Sequence, residues 1–202
     1  MGNTVITIGR DFGSGGREIG MALAVHLGIE CYDSRLIDMA AEQGGLDLEE
    51  LRAADEKKTS FWYYTVPLDP NFISIYDRPM NEVLFQLQSK IIRELADMGS
   101  CVIVGRCSDY VLKGHPHVFS CFIYAEAENR IARIMKKYSL DHREAEIMMK
   151  KTDRERNTYY RNNTCQDRHA PENYHMLLDS GKLGTDKTVS ILEKAVRLLE
   201  NP

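Results

Sequence analysis

The sequence predicts a three-layer α/β domain in which a parallel central sheet carries helices on both of its faces. Short apolar, β-branched runs alternate along the chain with longer stretches of helical periodicity. This alternation is typical of a parallel sheet. The first strand leads directly into a loop with glycines at 13, 15 and 16, and the loop opens the first helix. Because the chain has 202 residues, it is long enough for one such domain.

The first predicted strand spans Thr4 to Ile8 and is nearly continuous in apolar residues, as expected for a strand buried on both faces. Helical spacing after the glycine loop continues to Leu27, and Gly28 is predicted to end that helix. A short second strand covers residues 29–32. Asp33 and Ser34 follow at its tip.

The segment between the second and third strands changes character along its length. Helices are predicted over residues 35–42 and 46–58, separated by a glycine pair. Residues 59–79 then hold the aromatic run Phe61–Tyr64 and three of the six prolines. A connection of this length predicts a functional or partner-binding segment. The aromatic run would stack on a base, pack under the insert or form the contact of a homodimer.

The second half of the chain continues the alternation. The clearest helix is residues 80–98, because its apolar side chains recur on one face. The other predicted elements are strands over 101–105, 117–124 and 174–179, and helices over 127–138, 140–160 and 185–199.

Composition excludes several classes of protein. The net charge of −4 argues against a nucleic acid polymer as the partner. The sequence has no apolar run near the roughly 20 residues of a membrane helix, and its first residues lead us to expect no secretory signal. Five cysteines without a Cys-x-x-Cys pair predict free thiols and a cytoplasmic protein.

The glycine loop is the strongest functional signal. Residues Gly13 to Gly16 are four small residues in a row, which is costly in chain entropy unless the backbone must approach a ligand closely. A strand, a glycine loop and a helix in this order form the setting in which backbone N–H groups bind phosphates. Two other interpretations stay open, a flexible connection and a dinucleotide fingerprint. In the second of these, Glu18 stands where the third glycine belongs.

Polar residues at other strand ends would meet the loop in one cleft, because ligands bind beyond the carboxyl ends of parallel strands. Asp33 and Ser34 fit either an ordinary helix cap or a site near transferring phosphates. Gly105 and Arg106 follow a buried strand. There Arg106 would either fork onto a phosphate or form a salt bridge at the sheet edge.

The charged segment 150–161 offers a further candidate. Residues three or four apart share a helix face, so Asp153, Arg156 and Tyr160 form one row. Lys150, Arg154 and Thr158 form another. The segment is either a solvated face with internal ion pairs or a lid whose cations close on phosphates.

These motifs together resemble the cytidylate-kinase-like family of bacterial P-loop proteins. The resemblance rests on residues 8–20, Tyr32-Asp33-Ser34, Val104-Gly105-Arg106, Asp153-x-x-Arg156 and residues 174–184, and it covers about residues 4–185. It implies a P-loop kinase fold, formed by a single domain over residues 1–202. A monophosphate-binding insert is expected at about 44–80 and a lid at about 139–170.

The resemblance also implies an activity, since cytidylate kinases bind ATP with Mg²⁺ and pass the γ-phosphate to CMP or dCMP. The implied partners are therefore a nucleoside triphosphate and a small phosphorylated acceptor. In this sequence the ATP phosphates would be held by Gly13, Ser14, Gly15, Gly16, Arg17 and Glu18. The acceptor would be bound by Asp33, Ser34, Gly105, Arg106 and Asp153. The implied catalytic residues are Arg17, Asp33, Arg106, Arg154 and Arg156, the last two as lid cations.

The sequence departs from that family at the end of the loop. Cytidylate kinases carry Gly-Lys-Gly-Thr where this chain has Gly15-Gly16-Arg17-Glu18. The hydroxyl that binds Mg²⁺ has no counterpart, and no metal ligand is identified; Glu18 would bind the metal or repel phosphate. The loop therefore predicts phosphate binding more strongly than transfer. Two alternatives stay open, a nucleotide-binding module without efficient transfer and a kinase of a non-nucleotide acceptor.

Overall fold

The computed structural model describes residues 4–33 and 80–200, and it confirms the predicted α/β architecture in that part of the chain. The central sheet has five strands, all parallel, in the order β2-β3-β1-β4-β5. The strands are β1 (Val5–Arg10), β2 (Glu30–Tyr32), β3 (Cys101–Val104), β4 (Val118–Tyr124) and β5 (Met176–Asp179).

Helices connect the strands. They are α1 (Gly16–Leu27), α2 (Met80–Met98), α3 (Ser108–Val111), α4 (Ala127–Tyr138), α5 (His142–Thr164), α6 (Ser180–Leu183) and α7 (Thr185–Glu200), with a 3-10 turn over Pro171–Asn173. Both α2 and α4 have the predicted bounds. The predicted helix over 140–160 is wrong at both ends. Asp141 caps α5 and starts it at His142, and the helix continues to Thr164, where Cys165 ends it in the left-handed conformation. The Asp141 carboxylate accepts the Glu144 N–H at 2.8 Å, and the Glu144 carboxylate accepts the Asp141 N–H at 3.0 Å.

The centre of the sheet is β1, which pairs with β3 on one side and β4 on the other. Val5 lies opposite Cys101 in β3 and Val118 in β4. The chain reaches β3 after β2, and it reaches β4 on the opposite side only later. The strand order therefore reverses beside β1, and the carboxyl end of β1 opens into the crevice where such sheets bind ligands.

Apolar side chains pack against both faces of β1. Ile6 and Ile8 lie in one core with Leu23 of α1 and Leu192 of α7, and all four are fully buried. Val5 lies in the core of the other face. Fully burying a side chain of this size stabilises the fold by about 1.5–3 kcal/mol. The strand that leads into the glycine loop is therefore rigidly held.

The predictions that concern residues 34–79 lie outside the described residues. They include Ser34, the helices over 35–42 and 46–58, the aromatic run Phe61–Tyr64 and almost all of the insert at 44–80. Within the described ranges, no helix has the length and apolar character needed to cross a membrane.

Candidate functional site

A cleft of about 160 Å³ opens at the carboxyl end of β1, where the sequence predicted one. It brings together the glycine loop, the end of β2 and the facing sides of α4 and α5. Its lining residues are Arg10, Asp11, Phe12, Gly13, Gly15, Gly16, Arg17, Glu18, Asp33, Arg133, Ile134, Lys137, Tyr138 and Arg156.

The glycine loop turns tightly between β1 and α1. Gly13 and Gly15 both have φ of 80°, which L side chains rarely adopt. No side chain caps α1, whose N-cap residue is Gly15 itself. The first N–H groups of a helix have no partner within the helix, and they lie at its positive end. The start of α1 is therefore a suitable site for an anion.

Several carbonyl groups of the loop accept hydrogen bonds from side chains. Ser14 is buried, and its hydroxyl donates to the Asp11 carbonyl at 2.9 Å, so this predicted phosphate-binding residue uses its side chain within the loop. Ser180, at the end of β5, donates to the Ser14 carbonyl at 2.6 Å. Arginine side chains donate to two further carbonyls of the loop. The Arg10 carbonyl accepts from Arg168 at 2.6 Å and from Arg156 at 3.2 Å. The Phe12 carbonyl accepts from Arg130 at 3.3 Å.

Seven charged side chains form what we call the inner cluster, on the side of the loop next to β3 and α5. They are Arg10, Asp11, Asp33, Arg106, Asp153, Arg156 and Arg168. The side chain of Arg168 is 6% exposed and that of Asp11 is 12% exposed, and the two pair at 3.1 Å. Burial alone would raise the pKa of Asp11, but the hydrogen bond with His169 and the charge of Arg168 lower it.

Asp153 joins α5 to the loop. Its carboxylate accepts the Phe12 N–H at 2.9 Å and pairs with Arg130 at 2.5 Å and with Arg168 at 3.6 Å. The predicted row of Asp153, Arg156 and Tyr160 is confirmed as the inward face of α5, and Tyr160 is 4% exposed. This face packs against the site, so the segment is more than a solvated surface.

Two of the predicted arginines lie in different surroundings. Arg106 directly follows Gly105 at the end of β3, has φ of 59°, and lies close enough to Arg10 to lower the pKa of Arg10. Arg154 is exposed on α5. Residues two positions apart point to opposite sides of a helix, so Arg154 lies away from the inward face that carries Arg156. The structure therefore does not bring Arg154 into the inner cluster.

Asp33 links the inner cluster to a second group of charges. Its carboxylate lies 2.7 Å from Nε of Arg17 and 3.7 Å from Nη2 of Arg10. We call Arg17, Glu18, Arg133 and Lys137 the outer cluster. These side chains lie on α1 and α4, and that of Arg17 is 53% exposed.

In the outer cluster, positively charged side chains of α4 reach the glycine loop and the first turn of α1. A Cβ added at Gly15 would overlap the guanidinium of Arg133, so the absence of a side chain at Gly15 lets Arg133 lie directly against the loop. Lys137 pairs with Glu18 at 2.7 Å. Burial would raise the pKa of Glu18, but this pair and the backbone N–H of Glu18 lower it. The first turn of α1 thus already carries a carboxylate.

A metal site is not formed by the described residues alone. Within residues 4–33 and 80–200, no group of three or more His, Cys, Asp or Glu side chains is placed to hold a metal ion. Glu18, which stands where the metal-binding hydroxyl of related loops would be, is engaged by Lys137. The described residues therefore do not supply a complete ligand set of their own, and Mg²⁺ in such sites would take most of its ligands from substrate phosphates and water.

Sequence reasoning missed five members of the two clusters: Arg10, Asp11, Arg133, Lys137 and Arg168. A usable signal existed for Arg10, because it stands after an apolar run and a glycine, as Arg106 does. Arg133 and Lys137 stand on α4, where helix-spaced cations look like an ordinary surface. Arg168 lies beyond α5, and only the tertiary fold brings it back to the loop.

Comparison with known proteins gives one family. A sequence model described as the cytidylate kinase-like family matches residues 5–182. Among curated proteins, a cytidylate kinase from Methanopyrus kandleri is 26% identical over 203 residues, which is 96% of this chain and 93% of that protein. The match includes the loop, both clusters and β5.

Two solved structures illustrate the fold. An uncharacterized protein from Eubacterium ventriosum is 25% identical with a TM-score of 0.73, over 96% of this chain and 98% of that one. Shikimate kinase from Bacteroides thetaiotaomicron is 12% identical with a TM-score of 0.56, over 96% and 98% of the two chains. The predicted P-loop kinase fold is thereby confirmed.

Proposed function

The chain belongs to the cytidylate kinase-like family, and on that premise we propose that it transfers the γ-phosphate of ATP to a small phosphorylated acceptor, most simply CMP or dCMP. The observation that carries the proposal is a cleft with two anion sites side by side. One is the start of α1 with the glycine loop, and the other is formed by Arg10 and Arg156 of the inner cluster, with Arg106 close to Arg10. Transfer to a phosphorylated acceptor brings two phosphate groups side by side, and its catalysis consists mainly of positioning and charge stabilisation.

The donor is assigned to the loop side. The N–H groups of Gly16, Arg17 and Glu18 would bind the β- and γ-phosphates of ATP, with Arg133 adding positive charge from α4. Mg²⁺ bound to ATP would neutralise further phosphate charge. It would arrive with the nucleotide, since the described residues do not build a site for it.

The acceptor is assigned to the inner cluster. Arg106 and Arg156 would hold its phosphate beside the loop, and Asp33 would face it from the end of β2. An oxygen of the acceptor phosphate forms a new bond to the γ-phosphorus while the bond from that phosphorus to the bridging oxygen breaks, leaving ADP. Because the attacking oxygen is already ionised, the step needs positioning and charge stabilisation rather than a general base.

The test is ADP formation by the purified protein with ATP, Mg²⁺ and a panel of nucleoside monophosphates. We expect turnover that is greatest with CMP or dCMP, and Arg156→Gln prepared in parallel should lose most of it. That variant also reports any contaminating kinase. If no acceptor yields ADP, the proposal fails as an enzymatic function.

A second candidate is a nucleotide-binding module without efficient transfer. It is favoured by the pair of Glu18 with Lys137, because the carboxylate lies where loop phosphates would bind. Calorimetry separates the two candidates. Nucleotide binding without turnover selects the module, whereas turnover only with an acceptor that lacks a base selects a kinase of another substrate.

A further inference from the structure

Arg10 lies where three strand ends meet. It is the last residue of β1, and its guanidinium lies so close to Gly105, after β3, that a Cβ there would overlap it. Its Nη2 also reaches Asp33, after β2, at 3.7 Å. The side chain of Arg10 is 17% exposed, and the residue lines the same cleft as the glycine loop.

The surroundings of Arg10 hold more positive than negative charge. Burial lowers its pKa, and so do the charges of Arg156, Arg106 and Arg168, while Asp33 acts in the opposite direction. Among the described residues, Asp33 is the carboxylate that pairs with Arg10, and it lies closer to Arg17, at 2.7 Å.

The other carboxylates of the inner cluster are engaged elsewhere. Asp11 pairs with Arg168 and His169, at 3.1 and 3.0 Å. Asp153 pairs with Arg130 and accepts the Phe12 N–H. A buried cation in such a setting is stabilised most by an added anion, since buried charges are costly unless paired.

The position of Arg10 relative to the loop indicates whether it would bind the phosphate of the donor or that of the acceptor. The stem of Arg10 passes Gly16, where an added Cβ would lie 2.5 Å from the Arg10 Cβ, and its guanidinium emerges toward β3 and β2. Arg133 contacts the loop at Gly15 from α4, on the other side. Two guanidinium groups therefore flank the loop, and Arg10 is the one on the acceptor side.

We propose that Arg10 binds the phosphate of the acceptor and selects for acceptors that carry a phosphomonoester. The inference rests on the proposed function and names the residue that sets its substrate class. A phosphate dianion offers three oxygens and two charges to the converging guanidinium groups of Arg10, Arg106 and Arg156. A carboxylate offers two oxygens and one charge, and a neutral alcohol offers no charge, so both leave the cluster undercompensated.

Calorimetry with CMP, cytidine and ATP tests the inference directly, and it does not require turnover. We expect Arg10→Gln to weaken CMP binding about tenfold to a hundredfold, the range typical of a hydrogen bond to a charged group. Binding of cytidine and ATP should change less than about threefold, since the affected contact is with the acceptor phosphate. Arg10→Lys should restore part of the CMP affinity, because lysine keeps the charge without the fork.

The matched control is Arg143→Gln, which removes an exposed arginine of α5 by the same substitution. It should leave all three affinities unchanged. If Arg10→Gln does not fold, as judged by circular dichroism, Arg10→Lys alone carries the test and must still weaken CMP but not ATP.

Two results overturn the inference: equal CMP affinity in the wild type and the folded Arg10 variant, or a loss confined to ATP. Turnover only with an acceptor that lacks a phosphate also overturns the inference about Arg10, although the protein would still be a phosphotransferase. If no acceptor yields ADP but CMP binding still depends on Arg10, the inference stands and only the proposed transferase activity is ruled out.

Discussion

The inner and outer clusters flank the same glycine loop, but they hold their charges in different ways. In the inner cluster, the side chains of Arg168, Asp11 and Asp153 are at most 17% exposed and are linked to one another and to the loop backbone. In the outer cluster, Glu18 and Lys137 are 44% and 45% exposed and pair with each other near the surface. One side of the loop is therefore fixed by the fold, whereas the other can adjust to a ligand.

The difference predicts how substitutions in each cluster should affect folding stability and function. Breaking a buried network leaves charges without partners and affects stability as well as function. An exposed pair contributes little to stability, because solvent screens it. Changes in the inner cluster should therefore reduce both folding stability and activity, and changes in the outer cluster should alter nucleotide affinity alone.

The largest effect is expected from Asp153→Asn in the inner cluster. The substitution leaves Arg130 without its carboxylate, removes one of the two carboxylates that face Arg168 and loosens the link from α5 to Phe12. We expect a loss of about 3 kcal/mol in the free energy of unfolding, together with most of the phosphoryl transfer activity. Urea denaturation and steady-state kinetics measure the two quantities.

Asp97→Asn is the control, because Asp97 is an exposed carboxylate whose hydrogen bond is to His115. It should change stability by less than about 0.5 kcal/mol. Equal stability of the two variants would show that the inner cluster is not the rigid side of the loop.

A smaller effect is expected from Gly15→Ala, which tests the close approach of α4 to the loop. The added Cβ strains a residue at φ of 80° and displaces the Arg133 guanidinium. The left-handed conformation alone costs about 1–2 kcal/mol, and the displacement should weaken ATP binding in addition. Calorimetry with ATP measures the second effect.

Gly28→Ala provides the matched control for that strain. Gly28 also has a positive φ, of 67°, but a Cβ there would meet nothing within 4 Å. It should lower stability to a similar extent and leave ATP affinity intact. If both variants bind ATP equally well, Arg133 takes no part in the site.

The smallest effect is expected from Glu18→Gln. The substitution removes a carboxylate from the first turn of α1 and frees Lys137, so ATP should bind about threefold more tightly. Because the pair is exposed, stability should change by at most about 1 kcal/mol. A fall in ATP affinity that appears only with Mg²⁺ would instead identify Glu18 as a metal ligand.

The sequence was sufficient for the sheet, for most helix bounds and for the position of the cleft. Buried strands and amphipathic helices have distinct periods, so β1, α2 and α4 could be located from the pattern. Short elements such as α3 and α6, each of four residues, could not, because one turn shows no periodicity. The start of α5 depended on the Asp141 cap, and its end on Cys165 in the left-handed conformation, rather than on apolar spacing.

The site was only partly predictable for a different reason. Residues at strand ends, such as Asp33 and Arg106, follow from topology, because parallel strands end at one edge. Arg133 and Arg168 come from segments far along the chain, and their partners are set by tertiary packing. Arg154 and Arg156 look equivalent in the sequence, but helix geometry turns only Arg156 toward the loop.

The engaged carbonyls of the loop have a consequence for the energy of binding. Rotating a peptide unit of Arg10, Phe12 or Ser14 would break a hydrogen bond to an arginine or to Ser180. The amide dipoles that face the cleft are therefore preorganised before any ligand arrives. A phosphate entering the loop replaces its hydration shell with dipoles that are already oriented, so little of the binding free energy is lost to reorganising the protein.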